Sequence, residues 1–301
     1  MKPSLTVMKG HGTENDFVVL PDLEAAISLS PSMVRALCDR HAGIGADGVL
    51  RVLRTAQSTE PDVLAQAGIA EFFMDYRNAD GSIAQMCGNG VRVFGRYLHQ
   101  AGLIDGSTTV ATRGGPKPLL IAGSEISVEM GMAVFRPERP AVTVGGLRGQ
   151  FDGVALELPN PHVVVELSSL EDLAALDLRV APLVSPALPD GQNVEFIVRT
   201  SADRLRLRVH ERGVGETRSC GTGICAAVAA AAGDRAGTGD RAGTGDRAGT
   251  GDRAGTGSWL VDVPGGQCRV WWNADGVLVL SGPAVLVASV ELSPEWLAAH
   301  R

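Results

Sequence analysis

The sequence predicts an α+β protein of two pseudo-symmetric halves, each a curved, mostly antiparallel sheet wrapped around a central helix. Three observations carry this. Short β-type segments bounded by Gly, Pro, Asn and Asp recur along the whole chain. Met86-Cys87-Gly88-Asn89-Gly90 runs directly into an apolar, helix-like stretch from Val91 to Leu98. A near copy, Ser219-Cys220-Gly221-Thr222-Gly223, runs into Ile224 to Ala231. One Cys-Gly-Asn/Thr-Gly element in each half points to two related units, each burying one helix against one sheet. At 301 residues the chain is comfortable as two domains. The expected division is 1–130, carrying Cys87, and 131–301, carrying Cys220.

The elements follow in order. Leu5 to Met8 and Phe17 to Leu20 read as strands flanking a Gly10-His11-Gly12 loop. Ser30 caps a helix that Pro31 opens and that ends near Arg40. Glu71 to Tyr76 is a strand, and Asn78-Ala79-Asp80-Gly81 is a turn. The Cys87 element and its helix come next, and strands return from Thr108 to Glu129. In the second half, Val154 to Leu158 and Val163 to Val165 are strands around the turn signal Asn160-Pro161. Ser168-Ser169-Leu170-Glu171 reads as a capping box for a helix reaching about Leu176. Val194 to Val198 and Leu205 to Val209 form a hairpin. After the Cys220 element comes a meander of strands from Trp259 to Ser281, with a last strand from Val285 to Leu292.

Between these lies Gly-Asp-Arg-Ala-Gly-Thr, repeated four times over residues 233–256. With nothing apolar larger than Ala it cannot build a core, so it is expected as an expanded, mobile and dispensable surface loop. Such an insertion costs little, because loop-closure entropy grows slowly with length.

Composition narrows the class. The chain is 45% apolar and 20% charged, with a net charge of −7 spread along its length. That is globular, and it lacks the basic footprint of a nucleic-acid binder. No apolar run reaches membrane-spanning length, and the first residues lack a signal-peptide core, so the cytoplasm is the expected location. Five cysteines in a long chain are no disulfide framework, and their spacing fits no zinc site. With only Lys2, Lys9 and Lys117, a Schiff-base mechanism is disfavoured.

The chemistry rests on Cys87 and Cys220. A thiol just before a helix sits at the positive end of the helix dipole, which is expected to favour the thiolate. The free N–H groups of Gly88, Asn89, Gly221 and Thr222 offer an anion site for a carboxylate, and Gly lets a ligand approach the backbone. Two such elements imply a pocket with a thiol on each side of a bound acid. Inverting a carbon by proton transfer needs a base on one face and an acid on the other, and a thiolate with a thiol supplies both. Cys38, Cys225 and Cys268 lack this context and read as core.

Four segments together resemble the diaminopimelate epimerase family over the whole chain apart from the repeat. They are Lys9 to Phe17, Tyr76 to Gly90, Asn160-Pro161-His162, and Glu211 to Gly223. The resemblance implies a diaminopimelate epimerase-like fold and interconversion of LL- and meso-diaminopimelate without pyridoxal phosphate or any metal. That step belongs to lysine and peptidoglycan-precursor synthesis. It also implies a homodimer whose partner is the small-molecule substrate. Cys220 would accept the α-proton of the LL isomer and Cys87 would donate to the opposite face. Asn15, Asn78, Asn160 and Asn193 match positions that hydrogen-bond substrate, and Arg212 would grip the distal carboxylate bidentately. His162 and Glu211 match positions that tune the thiols and receive the ammonium group. Taken singly, Asn78 and Asn160 also suit simple turns. Gly48 stands where some relatives carry a substrate-binding Gln, which puts that contact in doubt.

Other activities also fit parts of this pattern. A proline racemase or hydroxyproline epimerase would use the same thiols without the Arg212 grip. A phenazine-biosynthesis-type isomerase would keep the fold and lose the thiols. From another class, a thiol redox switch would pair the cysteines as a disulfide. A purely binding protein would have no use for two activated thiols.

Overall fold

The computed structural model describes residues 5–236 and 257–300. These residues divide into two compact units, 1–129 with 281–301, and 130–280. Residues 281–301, expected in the second half, belong to the first unit. The strand Val285–Leu292 lies antiparallel to the first strand, with Leu5 opposite Leu292 and His11 opposite Val285. Its sequence marks it as a strand, but which edge it joins depends on hydrogen bonds no local pattern records.

In the first unit, β1 (Leu5–Gly12) and β2 (Asn15–Pro21) are antiparallel. The Gly10-His11-Gly12 segment is strand, not loop. The reversal is made by Thr13 and Glu14, both at positive φ (49° and 62°). That is the backbone of a tight hairpin turn, here built without Gly. Helix α1 (Pro31–Cys38) leads to β3 (Gly48–Arg54), parallel to β2. Ser30 caps α1 as expected, its hydroxyl accepting from the Met33 N–H at 3.1 Å. The helix stops at Cys38, two residues short of Arg40. Next, β4 (Phe72–Asn78) is antiparallel to β3, and α2 (Gly88–Gln100) follows. Then β5 (Ser107–Ala111) runs parallel to β4, and β6 (Lys117–Ala122) and β7 (Glu125–Gly131) fold back antiparallel.

The second unit repeats this order of pairings. β8 (Phe151–Glu157) and β9 (Pro161–Glu166) are antiparallel. Helix α3 (Leu170–Ala175) leads to β10 (Asn193–Ser201), parallel to β9. Its cap is Ser169, accepting from the Asp172 N–H at 3.1 Å, one residue later than the capping box suggested. β11 (Arg204–Glu211) is antiparallel to β10, and α4 (Gly221–Ala236) follows. β12 (Trp259–Val263) is parallel to β11, and β13 (Gly266–Trp272) is antiparallel to β12. The pairings therefore run antiparallel, parallel, antiparallel, parallel, antiparallel in both units, with the cysteine helix in the same interval. Such repetition makes each half a copy of one folding unit.

Both helices are enclosed by their sheets, α4 through a run of small apolar residues and α2 in spite of Arg92 and Arg96. In α2, Val91, Val93, Phe94 and Leu98 are inaccessible, and even Arg92 is wholly enclosed. In α4, every residue from Gly221 to Ala231 is buried. Small Ala side chains let the surrounding strands close on this helix. The first repeat residues, Gly233 to Ala236, form its last turn rather than a loop. The remainder of the expected loop, 237–256, lies outside the described residues. Among the described residues, no helix is long and apolar enough to cross a membrane.

The second unit's other core packs Phe196 and Val194 of β10 with Val163 and Val165 of β9 and with Leu173 of α3. Phe196 has no exposure. Phe196→Ala is expected to cost about 3–5 kcal/mol. Urea titration followed by circular dichroism should show a lower midpoint with an unchanged slope.

Candidate active site

Each cysteine is held at the mouth of its helix in the same way. Cys87 is the N-cap of α2, and its Sγ accepts from the Gly90 N–H at 3.4 Å. Cys220 stands before α4, and its Sγ accepts from the Gly223 N–H, also at 3.4 Å. Glycine is needed three residues on. A Cβ on Gly90 would lie 3.2 Å from Leu50 Cδ2, and one on Gly223 would lie 2.6 Å from Glu195 Oε1.

Around Cys87, Asn15 at the start of β2 presents Oδ1 to Sγ at 3.6 Å and accepts from Asn89 Nδ2 at 3.2 Å. The Asn89 side chain is fully buried, and its Oδ1 accepts from Arg92 Nη2 at 2.6 Å. Its amide is thus spent inside the protein, so a ligand contact at Asn89 falls to the backbone. Arg92 also donates to Thr13 Oγ1 and to the Pro283 carbonyl, both at 3.1 Å. Asn78 is tied into its turn, donating to Ser82 Oγ at 3.0 Å. Gly48 has no room for a side chain: a Cβ would sit 2.5 Å from the Arg77 carbonyl oxygen.

Around Cys220 the chemistry differs. Asn193 Nδ2 faces Sγ at 3.9 Å and Thr222 Oγ1 lies 3.5 Å away. Asn193 Oδ1 accepts from the Arg212 N–H at 2.9 Å. The Arg212 guanidinium is exposed and donates to the Asp190 carbonyl. Glu211 accepts from the Thr217 hydroxyl, and its carboxyl lies within hydrogen-bonding range of Cys220. His162, with no exposure, bonds Glu195 Oε1 through Nδ1 (2.7 Å) and Asn160 Oδ1 through Nε2 (3.1 Å). Glu195 is equally buried, and its Oε2 has no hydrogen-bond partner among the described residues.

The shared topology aligns these surroundings. Phe17 pairs with Gly48 across β2 and β3, as His162 pairs with Asn193 across β9 and β10. Leu50 and Glu195 stand two residues further along. Thus Phe17 and Leu50 beneath one cysteine helix correspond to His162 and Glu195 beneath the other. One thiol element rests on an apolar floor and the other on an ionisable one.

That floor overturns one expectation. The helix dipole was expected to lower the cysteine pKa, yet burial pushes the Cys220 thiol well above its ordinary range, and the Glu211 and Glu195 carboxylates add to this. Hydrogen bonds from Thr222 and the Gly223 N–H oppose it and are outweighed. A dipole worth up to about 2 kcal/mol cannot offset full desolvation beside two carboxylates. Glu211 is itself pushed up by burial, against hydrogen bonds from Thr217 and Cys220.

Sequence reasoning missed Glu195, Asp47 and Arg92. Glu195 was detectable as an acidic residue between Val194 and Phe196 in an apolar strand, where an unpaired charge would not be tolerated. Asp47 gave no signal, since its role depends on a contact with Asn15 across 32 residues. Cys38, Cys225 and Cys268 are buried, as expected of core cysteines, and burial pushes Cys38 up to about 12.

A family model described as diaminopimelate epimerase matches residues 7–136 and again 154–287, once in each repeat. The chain belongs to the diaminopimelate epimerase family. It is therefore an isomerase. A diaminopimelate epimerase from Streptomyces coelicolor is 46% identical over 302 residues, covering 99% of this chain and 98% of that protein. One from Mycolicibacterium smegmatis is 47% identical over 303 residues, covering 96% and 97%. Among solved structures, a PhzF-family phenazine biosynthesis protein from Bacillus anthracis has a TM-score of 0.66 at 16% identity, covering 97% of this chain and 99% of that one. A hydroxyproline epimerase from Agrobacterium vitis has a TM-score of 0.61 at 14% identity, covering 98% and 94%. These likenesses establish the expected α+β fold.

Near Asn15 the Asp16 carboxylate is held low. Burial alone would raise it, but hydrogen bonds from Arg40 and Lys9 bring it from 3.8 to about 2. A lowered native pKa stabilises the fold above the unfolded value and loses that contribution as pH falls through the native one. Wild-type unfolding free energy should therefore fall between about pH 4 and pH 2. In Asp16→Asn this part of the slope should flatten, as read by chemical denaturation at stepped pH.

Proposed function

We propose that this chain interconverts LL- and meso-diaminopimelate by moving a proton between two thiols and the substrate α-carbon. Cys220 takes the α-proton of the LL isomer and Cys87 returns a proton to the opposite face. The roles exchange in reverse. The observation that carries this reading is the duplicated element itself: a cysteine sulfur at each helix mouth, each accepting from a glycine N–H at 3.4 Å. A single-base enzyme would need only one.

The unequal surroundings suit unequal tasks. Cys220 has Glu211 within reach to receive its proton, so the sulfur can become a base when substrate binds. The substrate ammonium would offset the charge of the Glu211 and Glu195 carboxylates, which otherwise hold Cys220 protonated. Glu195 Oε1 and Asn160 Oδ1 hold the His162 imidazole between two oxygen atoms, which keeps Glu195 in place. The helix-mouth N–H groups of Gly88, Asn89, Gly221 and Thr222 would meet the substrate carboxylate as carbanion character grows. Arg212 would grip a second carboxylate, which a proline-type substrate lacks. Asn15, Asn78, Asn160 and Asn193 would complete the polar lining.

In this reading the enzyme needs no pyridoxal phosphate or metal. It serves lysine and peptidoglycan-precursor synthesis in the cytoplasm as a homodimer.

The test is LL-diaminopimelate in deuterated water under reductant, followed by NMR at the α-carbon. Deuterium should enter with inversion. Cys87→Ala and Cys220→Ala should each lower kcat by at least about 100-fold, the usual scale for losing a proton-transfer group. Full activity in either variant, or no exchange in the wild type, would reject the two-thiol reading.

A further inference from the structure

The two asparagines beside the cysteines present opposite ends to sulfur. Asn193 offers its amide nitrogen to Cys220, its oxygen being held by the Arg212 N–H. Asn15 offers its amide oxygen to Cys87. An amide can in principle turn end over end, so what matters is what fixes it. For Asn15 the anchor is Asp47, whose Oδ2 accepts from Nδ2 at 2.7 Å. An ionised carboxylate only accepts, so the nitrogen must face Asp47 and the oxygen must face Cys87.

The chain of bonds has one direction throughout. It starts at buried Arg92, which donates to Asn89 Oδ1. Asn89 Nδ2 donates to Asn15 Oδ1, and Asn15 Nδ2 donates to Asp47. A guanidinium that only donates stands at one end, and a carboxylate that only accepts stands at the other. Asp47 is held in turn by Arg40 Nη2 at 2.8 Å and by the Asp16 N–H at 3.2 Å. Asp16 pairs with Arg40 and Lys9. An acceptor facing sulfur stabilises S–H and disfavours S⁻.

We propose that Asp47 is a positioning residue that locks the Asn15 amide so that Cys87 rests as the thiol, the proton-donating member of the pair. This deepens the two-thiol reading, because a two-base site working on the LL isomer must start with the donor protonated. It also explains why a carboxylate sits on the loop before β3 without touching either sulfur. Its backbone is secured separately, by Asp47 N–H to the Asp16 carbonyl (2.9 Å) and Ala79 N–H to the Asp47 carbonyl (3.1 Å). Truncating its side chain therefore leaves the loop's main-chain bonds in place.

The test reads protonation without substrate. Iodoacetamide alkylation of Cys87 and Cys220 is followed against pH by peptide mass spectrometry in wild type, Asp47→Ala and Asn15→Ala, with folding checked by circular dichroism. In Asp47→Ala only the 3.2 Å bond from Asn89 Nδ2 still orients the amide, which is freer to turn its nitrogen toward sulfur. The Cys87 midpoint should fall by about 0.7 pH unit, the shift one ordinary hydrogen bond produces. Asn15→Ala should lower it as well, while Cys220 stays unmoved in both. The Asp47 side chain is 43% exposed, so its bare charge is screened by salt. The shift should persist in 1 M salt, where the Debye length is about 3 Å. No Cys87 shift, equal shifts at both cysteines, or a shift that vanishes in high salt would each overturn the proposal. Because no substrate is used, a wild type that alkylates as expected but exchanges no deuterium would fail the two-thiol reading and leave the Asp47 assignment standing.

Discussion

The bond from a glycine N–H to a cysteine sulfur at each helix mouth is the constraint around which the rest is arranged. It fixes where sulfur points, and the packing of Leu50 on Gly90 and of Glu195 on Gly223 crowds the position three places on. It also requires the helix to begin against the ends of strands that carry the surrounding polar groups. Gly90 lies over Leu50 and Phe17, and Gly223 lies over Glu195. The strands beneath must come that close for the helix to be buried, so the identity of the residues under the helix becomes the chemistry under the thiol. A sheet wound around one helix is thus both the core and the means by which sulfur is tuned.

From that shared frame the two halves diverge by a few substitutions. Where the first half has Phe and Leu, the second has a buried imidazole and a buried carboxylate. Burial of such a pair is expensive unless both partners are bonded, and His162 meets this with Glu195 on one side and Asn160 on the other. The first half instead reaches its sulfur through amides, with its charges, Arg92 and Asp47, kept at the ends of the chain of bonds. Duplication supplies a common frame, and divergence makes the surroundings of the two cysteines inequivalent.

Much of this was legible in the sequence. The cysteine elements, both helices, the Ser30 cap and most strands follow from local patterns of apolar spacing, capping and turn residues. What was not legible depended on contacts distant in sequence. The hairpin at Thr13 and Glu14 was hidden because two non-glycine residues take a backbone that glycine usually marks, and the neighbouring glycines suggested a loop instead. The sign of the Cys220 shift was misread because the dipole is a local property while desolvation and Glu195 are not. Asp47 was invisible because nothing in Gly45-Ala46-Asp47-Gly48 announces a partner at Asn15.

The strand Val285–Leu292 hydrogen-bonds along the whole of β1, so the first-made segment of the chain waits for one of the last-made to complete its sheet. During synthesis the unit closed by contiguous sequence is the second one, 130–280. The N-terminal unit passes through ribosomal emergence with the outer edge of β1 unpaired, an interval in which such an edge can recruit the wrong strand. The N-terminal unit can therefore complete its sheet only after the whole of the second unit has been made. The Cys87 element thus belongs to a sheet completed by a strand made long after it, whereas the unit of Cys220 ends before that strand begins.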